Sequence, residues 1–268
     1  MKLLERERLG HGSILDSHPE EVNLRAAWDS FTMARVNPAV RPEPRAHRRF
    51  QRRLLAWYAR HRRDLPWRRT ADPYRILVSE MMLQQTQVDR VIPKYHQFLR
   101  RYPTMERLAR ARPQAVKRLW YPLGYNIRPV RLQAVARETV ARYGGRLPDE
   151  PAALQKMPGI GRYTAGAIAA FAYGKDAAIL DTNVRRVLGR VFLGPRRLRR
   201  LRGQKVFWDL AEALLPPGRS YDYNQALMDF GATWCTPRGP RCPRCPMQSF
   251  CVTYRAMRAD SGNGHGHA

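Results

Sequence analysis

Apolar residues recur along this chain at three- and four-residue intervals, the spacing that lines one side of an α-helix. Residues 45–63 show it first: Phe50, Leu54, Trp57 and Tyr58 form one stripe, and arginines fill the opposite side. Asp72-Pro73-Tyr74 starts a second predicted helix over 75–86. Its Ile76, Leu77, Met81 and Leu83 point inward, leaving Glu80, Gln84 and Gln85 spaced for one polar face. Helical spacing continues over 89–101, 104–111, 113–121 and 128–143, with short connectors such as Arg101-Tyr102-Pro103 and Leu123-Gly124-Tyr125-Asn126. The stretch 154–183 then reads as a helix end, the turn Pro158-Gly159-Ile160-Gly161, and a small-residue helix over 163–171. After a loop, Asp181 takes an N-cap position ahead of Asn183 and a helix running to about 192. Two more helices are predicted over 205–215 and 221–233. No alternating strand pattern of useful length and no internal repeat occurs, so the chain is expected to be all-α.

Three stretches fall outside this pattern. Residues 1–45 mix charges with Pro19, Pro38, Pro42 and Pro44 and are expected to be a poorly ordered extension, with one helix near 21–34. The basic run 195–202 suits a solvated loop and a phosphate contact about equally. Residues 256–268 are expected to be a disordered Gly/His/Ser/Asp tail.

Charge narrows the function. The 268 residues carry a net +27 and a pI near 11.1. Residues 1–45 hold seven Lys/Arg and seven Asp/Glu, so the whole excess belongs to 46–268. A folded region this basic points to a polyanion, nucleic acid first. No apolar run is long enough to span a bilayer, which makes a membrane surface the lesser option. The first ten residues lack the apolar stretch of a signal peptide, and their glutamates argue against a transit peptide. The expected setting is the cytoplasm, where thiols stay reduced.

That setting matters for the cysteines. Cys235, Cys242, Cys245 and Cys251 are the four in the chain, spaced C-x6-C-x2-C-x5-C with Pro and Gly between them. Four thiolates in so short a loop describe a metal centre. Tetrahedral zinc and a [4Fe–4S] cluster both use four thiolates, and the spacing alone leaves both open.

The cysteine loop, the turn Met157-Pro158-Gly159-Ile160-Gly161 and Asp181 together resemble the iron–sulfur branch of the helix-hairpin-helix DNA glycosylases, the endonuclease III and MutY superfamily. The resemblance runs from about residue 50 to 251. It implies a two-lobed fold, with a six-helix barrel over 73–180 and an iron–sulfur domain from 46–72 and 181–255, DNA lying in the cleft between them. It also implies a [4Fe–4S] cluster on the four cysteines.

Within that superfamily the chain is most similar to the MutY branch, through Leu65-Pro66-Trp67-Arg68, Asp72-Pro73-Tyr74 and Val78-Ser79-Glu80-Met81-Met82-Leu83-Gln84-Gln85-Thr86-Gln87-Val88. Bifunctional relatives carry a Schiff-base lysine where this chain has Tyr163, so the resemblance implies a monofunctional enzyme with weak or no lyase activity. The implied reaction is excision of adenine opposite 8-oxoguanine or guanine. Glu80 would be the acid that protonates the leaving base and Asp181 the carboxylate beside the sugar, with Tyr163 and Asn183 positioning water, sugar and Asp181. Trp67 and Arg68 would line the base pocket, Gln84 and Gln85 would fill or read the vacated stack, and Leu123 and Tyr125 would form the wedge. Gly159 and Gly161 would present backbone N–H groups to phosphate. The expected partner is double-stranded DNA with a mismatch or oxidised base, bound by a monomer.

Two departures from the MutY pattern stand out. Asp181-Thr182-Asn183 replaces the usual D-G-N, and Asn126-Ile127 replaces the usual residues after the wedge tyrosine. Seventeen residues follow Cys251, so the 8-oxoguanine-recognising C-terminal domain of typical MutY proteins is expected to be absent. Two rivals remain: a thymine/uracil mismatch glycosylase of the same fold, and a non-catalytic protein that binds DNA lesions.

Overall fold

The computed structural model describes residues 43–262, and these residues contain helices and turns with no β-strand. The expected extension over 1–42, its helix near 21–34 and the last six residues lie outside the described region.

Helix α1 (Pro44–His61) buries Phe50, Leu54, Trp57 and Tyr58, the stripe that the spacing marks. After a 3₁₀ turn at Pro66–Arg68, α2 (Pro73–Leu83) begins on Asp72, whose carboxylate accepts from the Tyr74 and Arg75 amides. Helix α2 is buried on nearly every side, from Tyr74 to Met82. Only helices surrounded by others tolerate this pattern. Around it run α3 (Val88–Arg101), α4 (Met105–Ala109), α5 (Pro113–Trp120), α6 (Ile127–Tyr143), α7 (Pro151–Leu154) and α8 (Arg162–Tyr173). Helix α8 is rich in Ala and Gly, and a Cβ on Gly166 would sit 2.8 Å from the Ala178 carbonyl oxygen. That lack of a side chain lets the following loop lie flat against the helix.

Asp181 then caps α9 (Thr182–Leu188), which passes through one wide π turn at Gly189–Leu193 into α10 (Gly194–Arg200). Helices α11 (Lys205–Ala213) and α12 (Ser220–Thr233) follow, then the cysteine loop and α13 (Val252–Gly262). Among the described residues no helix is long and apolar enough to cross a membrane.

The buried side chains form two clusters. One runs from Leu65 to Ile179 around α2 and α8. The other joins α1 to residues between Leu180 and Phe250, Phe50, Val187, Phe207, Tyr223 and Phe230 among them. Met228 packs against both.

Three expectations need correcting. The basic run 195–202 is not a loop over most of its length: α10 occupies Gly194–Arg200, because Leu198 and Leu201 anchor it on the second cluster. Residues 256–262 belong to α13 rather than to a disordered tail. Helix α2 stops at Leu83, so Gln84 and Gln85 lie beyond it and share no helix face with Glu80. The backbone turns there, with Gln85 in the left-handed region at φ 54°.

Candidate functional site

The centre of the site is a carboxyl inside the protein. Glu80 is 4% exposed, on the buried middle of α2, and its Oε2 has no hydrogen-bond partner. Burial pushes its pKa up to about 7; the neighbouring Tyr163 hydroxyl and the Arg68 charge pull the other way, while the Asp181 charge adds to the rise. The acid can therefore hold a proton near neutral pH. Tyr163, in the first turn of α8, is raised well above the ordinary phenol range by burial and by the two carboxylates it faces. It stays protonated and can donate, but it cannot serve as an amine nucleophile.

Asp181 faces the same space from the other cluster. Its Oδ1 accepts from the Val184 amide at 2.6 Å, and its Oδ2 accepts from the Asn183 amide nitrogen at 2.9 Å. Both oxygens are therefore oriented before any ligand arrives. Asn183 is itself held, its Oδ1 accepting from Arg186 at 2.7 Å, and Arg186 donates onward to the carbonyls of Gly231 and Cys235. The aspartate is a helix cap and a site residue at once. Glu80, Tyr163, Asp181 and Asn183 thus come together from α2, α8 and the start of α9.

Trp67 and Arg68 lie deeper than a base-lining role requires. Trp67 is in the first core cluster with its ring edge-on to Tyr95, 5.5 Å between centroids. Arg68 donates at 2.7 and 2.8 Å to the two oxygens of Asp229, so its outer edge is already committed. Leu123 is also in the first core cluster, at 4% exposure. The exposed tip of that connector is Tyr125 at 58%, with Tyr121 beside it at 74%. Sequence reasoning missed Tyr121, although an aromatic pair flanking Pro122 and Gly124 was visible.

Gln85 and Tyr125 are the two described non-glycine residues with positive φ, at 54° and 48°. Backbone strain of this kind gathers at sites where surrounding structure enforces it. Here one side chain does so. Arg128, 3% exposed at the start of α6, donates from Nη1 to the carbonyls of Met81, Met82 and Gln84. From Nη2 it donates to the Thr86 hydroxyl and to the carbonyls of Leu123 and Gly124. Its guanidinium lies 5.3 Å from the Tyr125 ring centroid and 5.5 Å from that of Trp120. The two loops are therefore one unit. No local spacing announces this arginine, which sits among many in a basic chain.

At the hairpin, Gly159 has φ +80°, and a Cβ there would stand 2.5 Å from the Arg131 side chain, so both backbone and space demand glycine. Gly161 caps α8 with extended backbone, and nothing lies within 4 Å of where its Cβ would be.

All four cysteines are free and half-buried. They ring a cavity of about 260 Å³ with Arg190, Met247, Gln248 and Tyr254. The Met247 amide points at the Cys245 sulfur from 3.4 Å, and Arg190 Nη1 reaches the Cys235 sulfur at 3.5 Å. Among the described residues, no three His, Cys, Asp or Glu side chains converge so as to hold a single metal ion.

Residues 78–210 match the HhH-GPD superfamily of base excision DNA repair proteins. The chain is 37% identical over 202 residues to the thymine/uracil-DNA glycosylase of Methanothermobacter thermautotrophicus, covering 91% of that protein and 75% of this one. The chain belongs to the HhH-GPD superfamily. It is 43% identical over 247 residues to human adenine DNA glycosylase, a match over 88% of this chain and 44% of the human protein. It thus spans less than half the length of that relative. The structure of a thermostable thymine-DNA glycosylase superposes with a TM-score of 0.75 at 36% identity, over 79% of this chain and 98% of that one. The helix-hairpin-helix glycosylase fold that the motifs lead one to expect is the fold found.

Proposed function

We propose that this protein is a monofunctional DNA glycosylase that removes adenine mispaired with 8-oxoguanine or guanine. The observation that carries the reading is Glu80, buried, raised to about 7 and set beside Tyr163 with Asp181 facing it. Neutral adenine is a poor leaving group. A positioned carboxylic acid that protonates it as the C–N bond breaks turns it into a good one. The sugar left behind develops oxocarbenium character, which the preoriented Asp181 carboxylate stabilises. Water adds to the sugar carbon, and its proton passes to the Glu80 carboxylate. Tyr163 lies beside Glu80 and would donate to its carboxylate, and Asn183 holds Asp181. The lack of an amine at position 163 makes water the nucleophile.

The base must leave the stack to reach Glu80. Gln84 and Gln85 would occupy the space it vacates, and Tyr125 with Tyr121 would press into the duplex beside it. Arg128 would keep these loops in register, while Trp67, Leu123 and Arg68 would support the pocket from behind. Gly159 and Gly161 would let phosphate approach the N-terminus of α8. Adenine is favoured as the base by the 43% identity to the human adenine enzyme, against 37% for the archaeal thymine/uracil enzyme. The likeness to the thermostable thymine-DNA glycosylase structure keeps thymine or uracil opposite guanine as the second reading.

The four thiols line one cavity of about 260 Å³ that suits a [4Fe–4S] cluster, and the resemblance to the iron–sulfur glycosylases favours that cluster over zinc. A cluster takes one cysteine per iron, whereas one zinc needs four sulfurs each at about 2.3 Å. Cys235, Cys242, Cys245 and Cys251 would hold it, and when bound it supplies the bonds that keep the 235–251 loop folded. Iron and acid-labile sulfide in the purified protein would support this, and stoichiometric zinc would contradict it.

Single-turnover excision on duplexes carrying A:8-oxoG, A:G, T:G and U:G tests the reading. Removal of adenine from the first two is expected. Removal of T without A would sink the adenine assignment, and no cleavage of any duplex would leave a lesion-binding protein. Asp181→Asn should abolish excision while DNA binding persists.

A further inference from the structure

Far from Glu80 along the chain, five arginines line one open cavity of about 490 Å³: Arg101, Arg107, Arg110, Arg112 and Arg118. The remaining lining is Tyr102, Ala111 and Ala115, with no acidic residue. All five arginines are exposed, and none of the ion pairs found among the described residues uses one of them. The nearest influence of opposite sign is Glu106, which interacts with Arg110 but is held first by Thr104. Placing five like charges around one hollow costs free energy unless an anion fills it.

The wall that carries them is firmly built. The buried Gln133 amide of α6 donates to the carbonyls of Leu108 and Ala111 at 3.1 and 2.7 Å, and Arg137 donates to Ala109 at 3.2 Å. These bonds fix the turn that presents Arg110 and Arg112. Helix α5 starts at the same turn, with Arg112 at its N-cap and no side chain satisfying its first amides. Its dipole adds to the positive potential there. Tyr121 and Tyr125 follow the other end of α5. The hollow runs along α5, from Arg112 at its start to Arg118 in its last turn, three residues before Tyr121.

We propose that this hollow is a second phosphate-binding site, gripping consecutive phosphodiesters of DNA outside the cleft. Each guanidinium can grip phosphate with two parallel N–H groups, and five spread around an open rim exceed what one phosphate can accept. A run of phosphates meets that geometry. The inference rests on DNA being the partner.

The test compares the full-length protein with a triple variant, Arg107→Ala/Arg110→Ala/Arg118→Ala, in binding undamaged duplex across a salt series. All three side chains are exposed, so the fold should survive. The slope of log affinity against log salt should fall by about 2 to 3, and affinity at ~0.15 M salt should drop at least about tenfold. Excision at saturating enzyme should not change. A second triple variant, Arg52→Ala/Arg60→Ala/Arg258→Ala, removes the same charge elsewhere. An equal loss in that control would show a net-charge effect and overturn the site. An unchanged slope in the first variant would overturn it too. Loss of inorganic pyrophosphate binding with DNA binding intact would reassign the hollow to small anions and overturn the DNA assignment. If the unaltered protein itself ignores duplex DNA, the proposed function fails as well. If it excises adenine and only the slope prediction fails, the function stands and this inference falls.

Discussion

Among the described residues two carboxyls are buried, and they are treated in opposite ways. Asp229 on α12 has no exposed side-chain surface, yet it receives the Arg63 amide at 3.0 Å, the Arg63 side chain at 2.6 Å and both Nη groups of Arg68 at 2.7 and 2.8 Å. Burial pushes its pKa up, but the Arg68 hydrogen bonds and the charges of Arg68 and Arg63 outweigh that, leaving it below the usual range. Glu80 is as deeply placed but has one tyrosine hydroxyl and an empty Oε2. One site uses surrounding cations to keep a charge in the interior. The other withholds them, and the carboxyl keeps its proton to near pH 7. The difference separates a structural clamp from the carboxyl proposed as the acid.

The sharpest break of this contrast is Glu80→Gln, which should reduce single-turnover excision about 10²–10⁴-fold while leaving duplex affinity in place. The same change should not destabilise the protein, since it removes an ionisable group that resists burial. Wild-type excision by the glutamine variant would end the acid assignment. Asp229→Asn should do the reverse. Losing the partner of two arginines should cost about 3–5 kcal/mol in urea denaturation. It also frees Arg68 toward Glu80, so the excision pH profile should move to lower pH. An unmoved profile would show that Arg68 exerts no influence on the acid.

Arg128→Met comes next, at about 10² in excision rate with the two loops loosened, a size expected when reacting groups are slightly misplaced. A fluorescent base analogue at the target position should report impaired flipping in that variant. If flipping stays normal, the two loops do not depend on the arginine. The smallest effect is on pH. Excision should be flat below about 7 and fall roughly tenfold per unit above it as Glu80 ionises. Stability should follow opposite signs at the two sites. Glu80, raised from 4.5 to about 7, binds more protons folded than unfolded, so its share declines as pH rises through that window. Asp229, lowered from 3.8, adds stability above that value and loses it as pH falls through its folded pKa. Glu80→Gln should erase the first trend and Asp229→Asn the second.

Much of this was legible in the chain. Asp72 and Asp181 announced helix starts by residue type and spacing, and both cap. The cysteine loop was visible because all four thiols lie within one short stretch. What escaped depends on partners distant in sequence. Arg68 and Asp229 are 161 positions apart, and no periodicity links them. Arg128 lies 44 to 47 residues from the carbonyls it gathers at the end of α2, which is why Gln84 and Gln85 read as a continuing helix face. The basic run looked solvated because five arginines obscured the two leucines that anchor it. The depth of Trp67 and Leu123 was hidden too, since an apolar residue near a motif can serve the core as readily as the ligand.

The arginine joining the two strained turns also bears on the order of events at DNA. One guanidinium holds the carbonyls behind Gln85 and those behind Tyr125, so neither loop can shift far while the other stays at rest. A duplex that presses on the tyrosine tip is felt at the glutamine turn in the same motion. Under the proposed function, inspection of the suspect base and of its opposite number would become a single mechanical act, completed or abandoned as a whole.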